Sequence, residues 1–415
     1  MKIFLISLSL IFFPLSLISH GSVGSSAHKP DAPRHMDFPN PKGYVTVISD
    51  LHTHTAFSDG HVWPPIRIEE AIRDGLDIIS LTEHLEYQPH MQDIPHKDRN
   101  RPFKEATQAA GKHDLLVING AEITREMNKD YNSPGHINAV FIKDANKLYK
   151  FDENKIEEAS NLVKWGQDQE GKVMEFYAVT NLWPAENAIR EADKQGAFIF
   201  WNHPSWTAQR SDGIAILDPI HEKLINEKLL HGIEVINGGF YSEEAFQIAL
   251  DNKLTVMGTS DVHNLIDWDY EPHSGGHRPV TLILSKARNE DSIKSALFSR
   301  RTVVWYKDLL IGEERNVDML VKACLEISSA SYMYSSSVLR VRIKNNSDTK
   351  FTLKNNSGFT IANDDDYIEV PPQDTVTIEV NTLERLSKID LDLQVLNAIT
   401  APKENLSLTL SKRIE

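Results

Sequence analysis

The sequence predicts an α/β fold followed by a small all-β sandwich. From residue 44 to about residue 320, short apolar segments alternate with longer amphipathic ones. This is typical of parallel strands joined by crossover helices, in either a barrel or an open sheet. Beyond that point, segments of alternating hydrophobicity are separated by turns of Asn, Ser, Asp and Gly, which indicates a β-sandwich. We therefore expect an α/β domain at 44–318 and a β domain at 319–415.

The predicted elements alternate along the chain. In the α/β region we predict eight buried strands, at Tyr44–Ser49, Asp77–Thr82, Leu115–Gly120, Ile137–Ile142, Ala197–Trp201, Gly232–Ile236, Thr255–Gly258 and Val280–Leu284. Helices are predicted at Ile66–Asp74, Glu153–Gln169, Pro184–Gln195, Ser242–Asp251 and Asp291–Ser299. In the β region, strands are predicted at Val338–Lys344, Thr349–Leu353, Tyr367–Val370, Thr375–Val380 and Leu391–Val395. Pro184 and Gly196 are residue types that often begin a helix and follow its end.

Composition limits the possible partners. The 415 residues include 40% apolar ones, which is ample material for a large core, and carry a formal net charge of −15. Such a charge excludes a global attraction for nucleic acid or anionic membranes, so no nucleic-acid partner is expected. A phosphate substrate would have to be attracted locally, by metal ions and a few placed cations. Nothing in the sequence indicates a particular oligomeric state.

The N-terminal segment has the layout of an export signal. Lys2 precedes an apolar run over Ile3–Ile18, which is short for a membrane span and contains Pro14. We expect residues 1–20 to be a cleaved signal peptide, with an uncleaved anchor as the alternative, and 21–43 to be a linker. No other membrane contact is expected. Cys324 is the only cysteine, so no internal disulfide can form, which suits a large exported domain of the bacterial periplasm or exterior.

The first chemical signal is a pair of histidines, His52 and His54, directly after the first predicted strand. Residues two apart at a strand end point to the same side, so both imidazoles can bind one metal ion. Because exposed histidines are common, this pair alone is weak evidence for a metal site.

Further metal-ligating side chains fall at the ends of other predicted strands. They are His84 in Thr-Glu-His, Glu122 in Gly-Ala-Glu, His136 before the strand at residue 137, His203 in Asn-His-Pro, and Asp261 and His263 in Ser-Asp-Val-His. Most of them follow the C-terminal end of a strand, the side on which α/β barrels and open sheets build active sites. Unrelated surface histidines would show no such preference.

The number and type of these side chains predict a cluster of two or three metal ions. One tetrahedral zinc takes four ligands, and at least eight are present here. Imidazole and carboxylate ligands without thiolates fit Zn²⁺, Mn²⁺ or Fe²⁺, and Glu122 or Asp261 is the natural bridge between cations. Packed cations lower the pKa of a shared water, and the resulting hydroxide can attack phosphorus. The sequence shows no Ser-His-Asp or Cys-His arrangement and no Gly-rich phosphate loop.

In the order and local context of these motifs, the chain resembles the PHP (polymerase and histidinol phosphatase) family of metal-dependent phosphoesterases over residues 44–305. The resemblance implies a distorted (β/α)7 barrel with a trinuclear cluster at its C-terminal face. It implies that Glu122 bridges two ions and that a third is bound by Asp59, His84 and His263. The implied ligand set is His52, His54, Asp59, His84, Glu122, His136, His203, Asp261 and His263.

Two positions depart from the pattern of the family. Asp59, in Phe-Ser-Asp-Gly, stands where some members have histidine, so the third ion is expected to be harder or more weakly bound. Glu83 replaces an aspartate frequent in that motif. Within the family, the predicted signal peptide, the long segment before His203 and the β domain are similar to exported phosphodiesterases of the Sb-PDE type.

Other residues near the motifs are candidates for substrate contacts. Arg278 is the candidate for phosphate binding, because its guanidinium fork matches two phosphate oxygens, and an ordinary loop arginine is the alternative. We predict that Arg278 and two of the predicted metal ligands, His203 and Asp261, are the catalytic residues. Weaker candidates are Arg210 for phosphate, His61 and His277 as proton donors, and Trp63, Trp183, Trp201, Trp206 and Trp268 as apolar walls for an ester group.

The predicted function is hydrolysis of a small phosphate ester by an exported, metal-dependent phosphodiesterase. A diester is favoured because monoesterases usually surround a dianion with several cations, whereas only Arg278 and Arg210 lie near motifs here. Alternatives are a phosphomonoesterase of the histidinol-phosphatase type, a metal-dependent amidohydrolase, and a metal-binding protein without turnover. Against an amidohydrolase, no lysine follows a strand where a carbamate bridge would form.

Overall fold

The computed structural model describes residues 35–125, 133–162, 166, 174–363 and 365–414. The predicted signal peptide, most of the predicted linker and the C-terminal part of the helix predicted at Glu153–Gln169 lie outside these residues. No helix within the described ranges is long and apolar enough to span a membrane.

The described part of the chain contains ten α-helices and nineteen strands. The helices are α1 Pro64–Asp74, α2 Arg101–Ala110, α3 Ile156–Leu162, α4 Glu175–Asn181, α5 Ala185–Lys194, α6 Pro219–Asn226, α7 Glu243–Asn252, α8 Ile266–Asp269, α9 Glu290–Phe298 and α10 Glu314–Cys324. The strands up to residue 311 are β1 Val45–Asp50, β2 Ile78–Leu81, β3 Leu116–Ile123, β4 Ile137–Val140, β5 Phe198–Trp201, β6 Gly232–Asn237, β7 Phe240–Tyr241, β8 Thr255–Thr259, β9 Val280–Ser285, β10 Thr302–Tyr306 and β11 Leu309–Ile311. The remaining strands are β12 Leu325–Tyr332, β13 Val338–Asn345, β14 Phe351–Asn355, β15 Thr360–Ile361, β16 Tyr367–Val370, β17 Thr375–Asn381, β18 Lys388–Ala401 and β19 Glu404–Arg413.

Helix α1 shows how local sequence sets the ends of an element. Pro64 occupies its first position, where the missing N–H is no loss because the first amides of a helix have no partner within it. Gly75 follows the last residue with a φ of 76°, a left-handed conformation, and its N–H binds carbonyl oxygens of the last turn. Ile68 and Ala71 lie on the buried face, in the same apolar cluster as Ile48 of β1.

Seven strands form the barrel that carries the predicted site. They lie side by side in the order β1, β2, β3, β4, β5, β6 and β8, and adjacent strands are parallel except where β4 is one of the pair. The barrel closes where Thr53, beyond the end of β1, bridges Val262, beyond the end of β8. The reversed strand β4 is what distorts the barrel.

Antiparallel strands connect the barrel with the C-terminal β domain. β9 pairs with β1, β10 with β9 and β11 with β10, and β11 then pairs in parallel with β18. In the β domain, β16, β14, β18 and β19 lie in one sheet, and β12, β13, β17 and β15 form the other. The predicted fold class, a distorted α/β barrel followed by a small β-sandwich, is confirmed.

Each predicted strand corresponds to an observed one, although the ends differ. The sequence patterns missed helices α2, α4, α6, α8 and α10 and strands β7, β10, β11, β12, β15 and β19. Helix α2 was missed because its buried residues, Pro102, Ala106 and Ala110, include no large apolar side chain that would mark a core-facing stripe in the sequence. Helix α10 runs across residue 318, where the sequence predicted a domain boundary, and ends at Cys324.

Candidate metal centre

The nine predicted ligands meet at one end of the barrel. They come from the C-terminal ends of β1, β2, β3, β5 and β8, from the loop after β1 and from the residue before β4. Four overlapping groups have ligand atoms within 4.8 Å of one another: His54, Asp59, His84 and His263; His52, His54 and Asp261; His52, Glu122 and His203; and His84, Glu122 and His136. The structure thus brings together every ligand that the sequence predicted.

One group is centred on Asp261. The Nε2 atoms of His52 and His54 lie 3.1 Å apart, and they are 3.1 Å and 3.0 Å from Asp261 Oδ1. His52 Nδ1 donates a hydrogen bond to Glu234 Oε1 at 2.8 Å, so a neutral His52 turns the lone pair of Nε2 towards the cluster. Lone pairs that converge on one point beside a carboxylate are the arrangement that a bound cation requires.

Glu122 lies between two sets of histidines. Its Oε1 is 3.1 Å from His136 Nδ1 and 3.5 Å from His203 Nε2. Its Oε2 is 2.6 Å from His84 Nδ1 and 3.6 Å from His54 Nε2, and it accepts no hydrogen bond although it is buried. A buried carboxylate oxygen without a hydrogen bond is costly in free energy unless a cation compensates it. The position between two sets of imidazoles fits a bridging ligand.

Asp59 belongs to the third group. Its Oδ1 is 3.2 Å from His263 Nε2, and its Oδ2 is 3.3 Å from His84 Nε2. Gly60 allows this placement, because a Cβ there would lie 2.8 Å from backbone atoms of His54 and Thr55. The loop after β1 can therefore fold tightly against His54 and present Asp59 to the cluster.

Two ligand residues have left-handed backbone conformations. His203 has a φ of 28° and Asp261 a φ of 51°, which are uncommon for residues other than glycine. The turn at Asp261 is held by its N–H, which donates to His52 O at 2.9 Å, and by Asp50, whose carboxylate accepts from the N–H and hydroxyl of Ser260. Such strained residues persist where the surrounding structure holds them in place, and they are concentrated at functional sites.

The pKa values of the histidines reflect a site of concentrated charge. Burial and the neighbouring His263 and His84 lower the pKa of His54 to about 3. Burial also lowers the pKa of His263, but the hydrogen bond and charge of Asp59 outweigh it and raise this pKa to about 9. For His52, burial is likewise outweighed by the carboxylates of Asp261 and Glu234, which raise its pKa well above the usual value. The carboxylates thus favour positive charge in the cluster.

Several supporting residues were missed by sequence reasoning. Glu234 accepts from His52 and from the backbone N–H of His203 at 2.7 Å, and it is 1% exposed. Asn202 Nδ2 donates to Glu122 Oε1 at 2.7 Å. A charged residue in the middle of the apolar strand β6 was a signal that could have identified Glu234, because buried carboxylates need partners.

Glu83 has a supporting role that the sequence did not define. Its carboxylate accepts hydrogen bonds from the N–H and hydroxyl of Thr55 and from the hydroxyl of Ser58. Ser58 Oγ in turn lies 3.3 Å from His54 Nδ1. Glu83 therefore anchors the loop that carries Asp59 and contributes to the orientation of His54.

The structure contradicts the phosphate-binding role predicted for Arg278. Its side chain is 0% exposed, and it forms ion pairs with Asp74 at 2.7 Å and Asp50 at 3.2 Å. Because these carboxylates already occupy the guanidinium, Arg278 cannot present its fork to a substrate. Asp50 also holds Ser260, so Arg278 supports the turn at Asp261 from below.

The weaker candidates have different outcomes. Arg210 is buried and forms an ion pair with Asp218, so it is not available to bind phosphate either. His277 stacks on Trp305 with ring centroids 3.8 Å apart, and both of its nitrogens face backbone carbonyls, as expected of a packed structural histidine. His61 is exposed and hydrogen-bonds to Asn264, and its role as a proton donor stays a prediction.

Trp206 lies beside the cluster. Its ring centroid is 5.2 Å from that of His203 and 5.6 Å from that of His136, and the residue is 40% exposed. Trp201, the other tryptophan near His203, is buried and stacks on His221. An apolar wall at this side of the site therefore consists of Trp206 and not of Trp201.

Comparison with known proteins shows similarity in both parts of the chain. Residues 50–192 match the family model of the PHP domain, and residues 325–411 match that of an Ig-like domain. A solved two-domain protein from Bacteroides vulgatus, described as containing a predicted PHP-like metal-dependent phosphoesterase, is 35% identical, with 92% of this chain and 100% of that chain covered and a TM-score of 0.77. A protein from Bifidobacterium adolescentis, described as a candidate metal-dependent phosphoesterase, is 18% identical, with coverage of 52% and 88% and a TM-score of 0.36. No functionally curated protein matches the chain.

The barrel and its cluster of histidines and carboxylates have the fold and the candidate metal site of PHP-like metal-dependent phosphoesterases. The chain belongs to the PHP family, because it is 35% identical to the two-domain protein in an alignment that covers 100% of that protein. Residues 50–192 also match the model of the PHP domain. This confirms the resemblance seen in the sequence. The nine side chains fit divalent metal ions, since all offer imidazole nitrogen or carboxylate oxygen and lie in overlapping groups.

Proposed function

We propose that this protein is a phosphodiesterase that hydrolyses a small phosphate ester at a site of two or three divalent ions, Mn²⁺, Zn²⁺ or Fe²⁺. The observation that carries the proposal is the convergence of nine His, Asp and Glu side chains around Glu122 and Asp261. Metal ions bound there would supply an activated water for attack on phosphorus and neutralise charge on the phosphate oxygens. The proposed substrate is a small molecule and not nucleic acid, in keeping with the net charge of −15.

Different residues of the chain form the separate ligand groups of this site. His52 and His54 approach Asp261 from one side, His136 and His203 approach Glu122 from another, and Asp59 and His263 complete the third group. Hydrogen bonds from Asn202 to Glu122 and from His52 to Glu234 keep ligand atoms directed at the cluster. Preorganised ligands of this kind need no rearrangement when charge develops on the substrate.

Two features favour a diester over a monoester. The arginines expected to attract phosphate, Arg278 and Arg210, are both bound to aspartates, so they do not add positive charge for a dianion. Trp206 offers an apolar face beside His203, where one organic group of a diester can pack. A diester carries one negative charge and two organic groups, which suits both features.

Export is part of the proposal and rests on the sequence of residues 1–20, which has the layout of a signal peptide. We expect the protein in the periplasmic or extracellular fraction of a bacterial host, with an N-terminus beyond residue 20. Fractionation followed by intact-mass measurement tests this. A full-length protein retained in the cytoplasm would contradict it.

The activity test compares hydrolysis of bis(p-nitrophenyl) phosphate with that of p-nitrophenyl phosphate by metal-analysed protein supplied with manganese or zinc. We expect faster turnover of the diester, lost in His52→Ala and Asp261→Ala and retained in His113→Ala, which alters an exposed histidine away from the cluster. Preference for the monoester would make the protein a phosphatase with the same site. No cleavage of either ester by fully metallated protein would contradict the proposed function.

A further inference from the structure

Arg67 lies on α1 below the metal centre and is fully buried, at 0% exposure. Its Nη1 donates to Glu70 Oε2 at 2.6 Å. Burying a guanidinium is costly in free energy unless its geometry and hydrogen bonds compensate. The acceptors of its remaining N–H groups therefore indicate the role of Arg67.

Those N–H groups converge on backbone carbonyls of ligand residues. Nε and Nη2 of Arg67 donate to His54 O at 3.3 Å and 3.1 Å. Nη2 also lies 3.3 Å from Val262 O and 3.4 Å from His263 O. One planar fork thus contacts the main chain of two predicted ligands that are more than two hundred residues apart in the sequence, His54 and His263.

These carbonyls lie on opposite sides of the seam where the barrel closes. Across the seam, Thr53 bridges Val262, and His54 N donates to Val262 O at 3.1 Å. This is an isolated bridge and not a continuous ladder, so the alignment of the two sides depends on additional contacts. Arg67 joins the sides, and its partner Glu70 accepts from the N–H of Ile266 at 2.8 Å, which fixes the chain just after His263.

The contacts of Arg67 concern one group of ligands more than the others. His54 and His263 belong to the group with Asp59 and His84. On the other side of the cluster, Glu122 and His203 are supported by Asn202 and Glu234, which Arg67 does not contact. A shift of the seam would therefore separate His263 from Asp59 before it disturbs the ligands around Glu122.

We propose that Arg67 is a positioning residue that aligns His54 with His263 across the barrel seam and so sets the affinity for the ion bound by Asp59, His84 and His263. The proposal rests on the proposed function in so far as it requires that third ion. The alternative is a general structural role, in which Arg67 merely fills the space under α1 and its loss weakens all metal sites equally.

The test uses the full chain with Arg67→Lys and Arg67→Met, and Arg210→Lys as a matched control. Lysine keeps the charge next to Glu70 but cannot reproduce the fork, and Arg210 is another buried arginine, which is paired with Asp218 in the loop between β5 and α6. Metal-free protein is titrated with Mn²⁺ or Zn²⁺ against a competing chelator. For both Arg67 variants we expect the weakest ion to bind about 10–100-fold more weakly, with the other ions unchanged. Arg210→Lys should not produce this selective loss.

A second measurement does not depend on bound metal. Hydrogen–deuterium exchange on the metal-free proteins should show faster exchange in segments 53–61 and 260–266 of Arg67→Lys, with the remainder of the barrel unchanged. Wild-type affinities in Arg67→Lys, equal weakening of all ions, or failure of Arg67→Lys to fold would each overturn the proposal. A wild-type protein that binds no third ion would contradict the trinuclear site. In that case the hydrogen–deuterium exchange decides separately whether Arg67 aligns the seam. Exchange in segments 53–61 and 260–266 that is the same in Arg67→Lys and wild type would reject that role.

Discussion

Glu234 shows how much of the metal centre depends on a residue that is not a predicted ligand. Its Oε1 accepts from His52 Nδ1 and Thr259 Oγ1. Its Oε2 accepts from the N–H of His203 and from Asn237 Nδ2. Because donors surround both oxygens, the side chain must be an acceptor on both sides, and a carboxylate is what meets this need.

Glu234→Gln is expected to weaken metal binding and activity by about 10–100-fold while the fold is retained. The amide N–H group of glutamine would have to face one of the two donor pairs, which turns His52 or the backbone of His203 away from the cluster. Metal content after dialysis and kcat/KM on the diester measure the effect. Glu244→Gln, an exposed position on α7, serves as the control, and equal metal content in both variants would contradict the role of Glu234.

Arg278→Met is expected to destabilise the protein by about 3–5 kcal/mol, because it leaves the buried carboxylates of Asp50 and Asp74 without their partner. Denaturant unfolding of the metal-free protein measures this. The KM for the diester, determined under conditions where the variant is folded, should stay close to that of the wild type, since the guanidinium does not reach substrate. A large rise in KM at unchanged stability would restore the phosphate-binding role.

Among the elements, the loop after β1 depends on close approach of its backbone. A Cβ at Gly60 would lie 2.8 Å from His54 C and Thr55 N, and backbone atoms cannot move aside as a flexible side chain can. We expect Gly60→Ala to cost about 1–3 kcal/mol in unfolding free energy and to displace Asp59, with weaker binding of one ion. Unfolding and metal titration would show both effects. Gly358→Ala, where no atom lies within 4 Å, is the control and should change neither.

The loop between β5 and α6 carries Trp206 and is closed by the ion pair of Arg210 with Asp218. We expect Asp218→Asn to loosen this loop, because it removes the negative charge that pairs with the buried guanidinium of Arg210. The KM for aryl diesters should rise several-fold with metal content unchanged, since Trp206 packs against substrate in the proposed function, whereas His203, the predicted ligand in this loop, is fixed separately by the hydrogen bond from its N–H to Glu234. Loss of metal without a change in KM would show that the loop supports the ligands instead.

At the scale of the whole molecule, the barrel and the β domain share one apolar core. A single cluster of buried side chains includes Ile48 and Val280 of the barrel and Val341 and Leu393 of the β domain. Strand β11 also pairs directly with β18. Exposing either part would uncover apolar surface of the other, so the described residues of the barrel and of the β domain are expected to unfold together.

Calorimetry should therefore show one unfolding transition for the metal-loaded protein, and a chelator should lower its midpoint as a whole. The native state gains about 2.7 kcal/mol for each ion present at one hundred times its dissociation constant, and chelation removes this stabilisation. Two separate transitions, of which the chelator shifts only the first, would contradict the shared core.

The grouping of the candidate ligands could be predicted because it depends on local information. Strand periodicity locates the ends of β1, β2, β5 and β8, and parallel strands in a barrel bring those ends to one face. His52, His84, His203 and Asp261 could thus be grouped without knowledge of their contacts. The order of the motifs was enough for the family, and the alternation of strands and helices was enough for the fold class.

Only the tertiary structure shows which residues orient the predicted ligands through hydrogen bonds. It also shows that the arginines predicted to bind phosphate are already paired with aspartates. Arg278 reaches Asp50 and Asp74 across 228 and 204 residues of sequence, and His52 reaches Glu234 across 182. Local patterns carry no information about such partners, because they depend on how distant strands pack. A buried arginine with an aspartate partner and an exposed arginine that binds phosphate look alike in a sequence, and only burial and partners distinguish them.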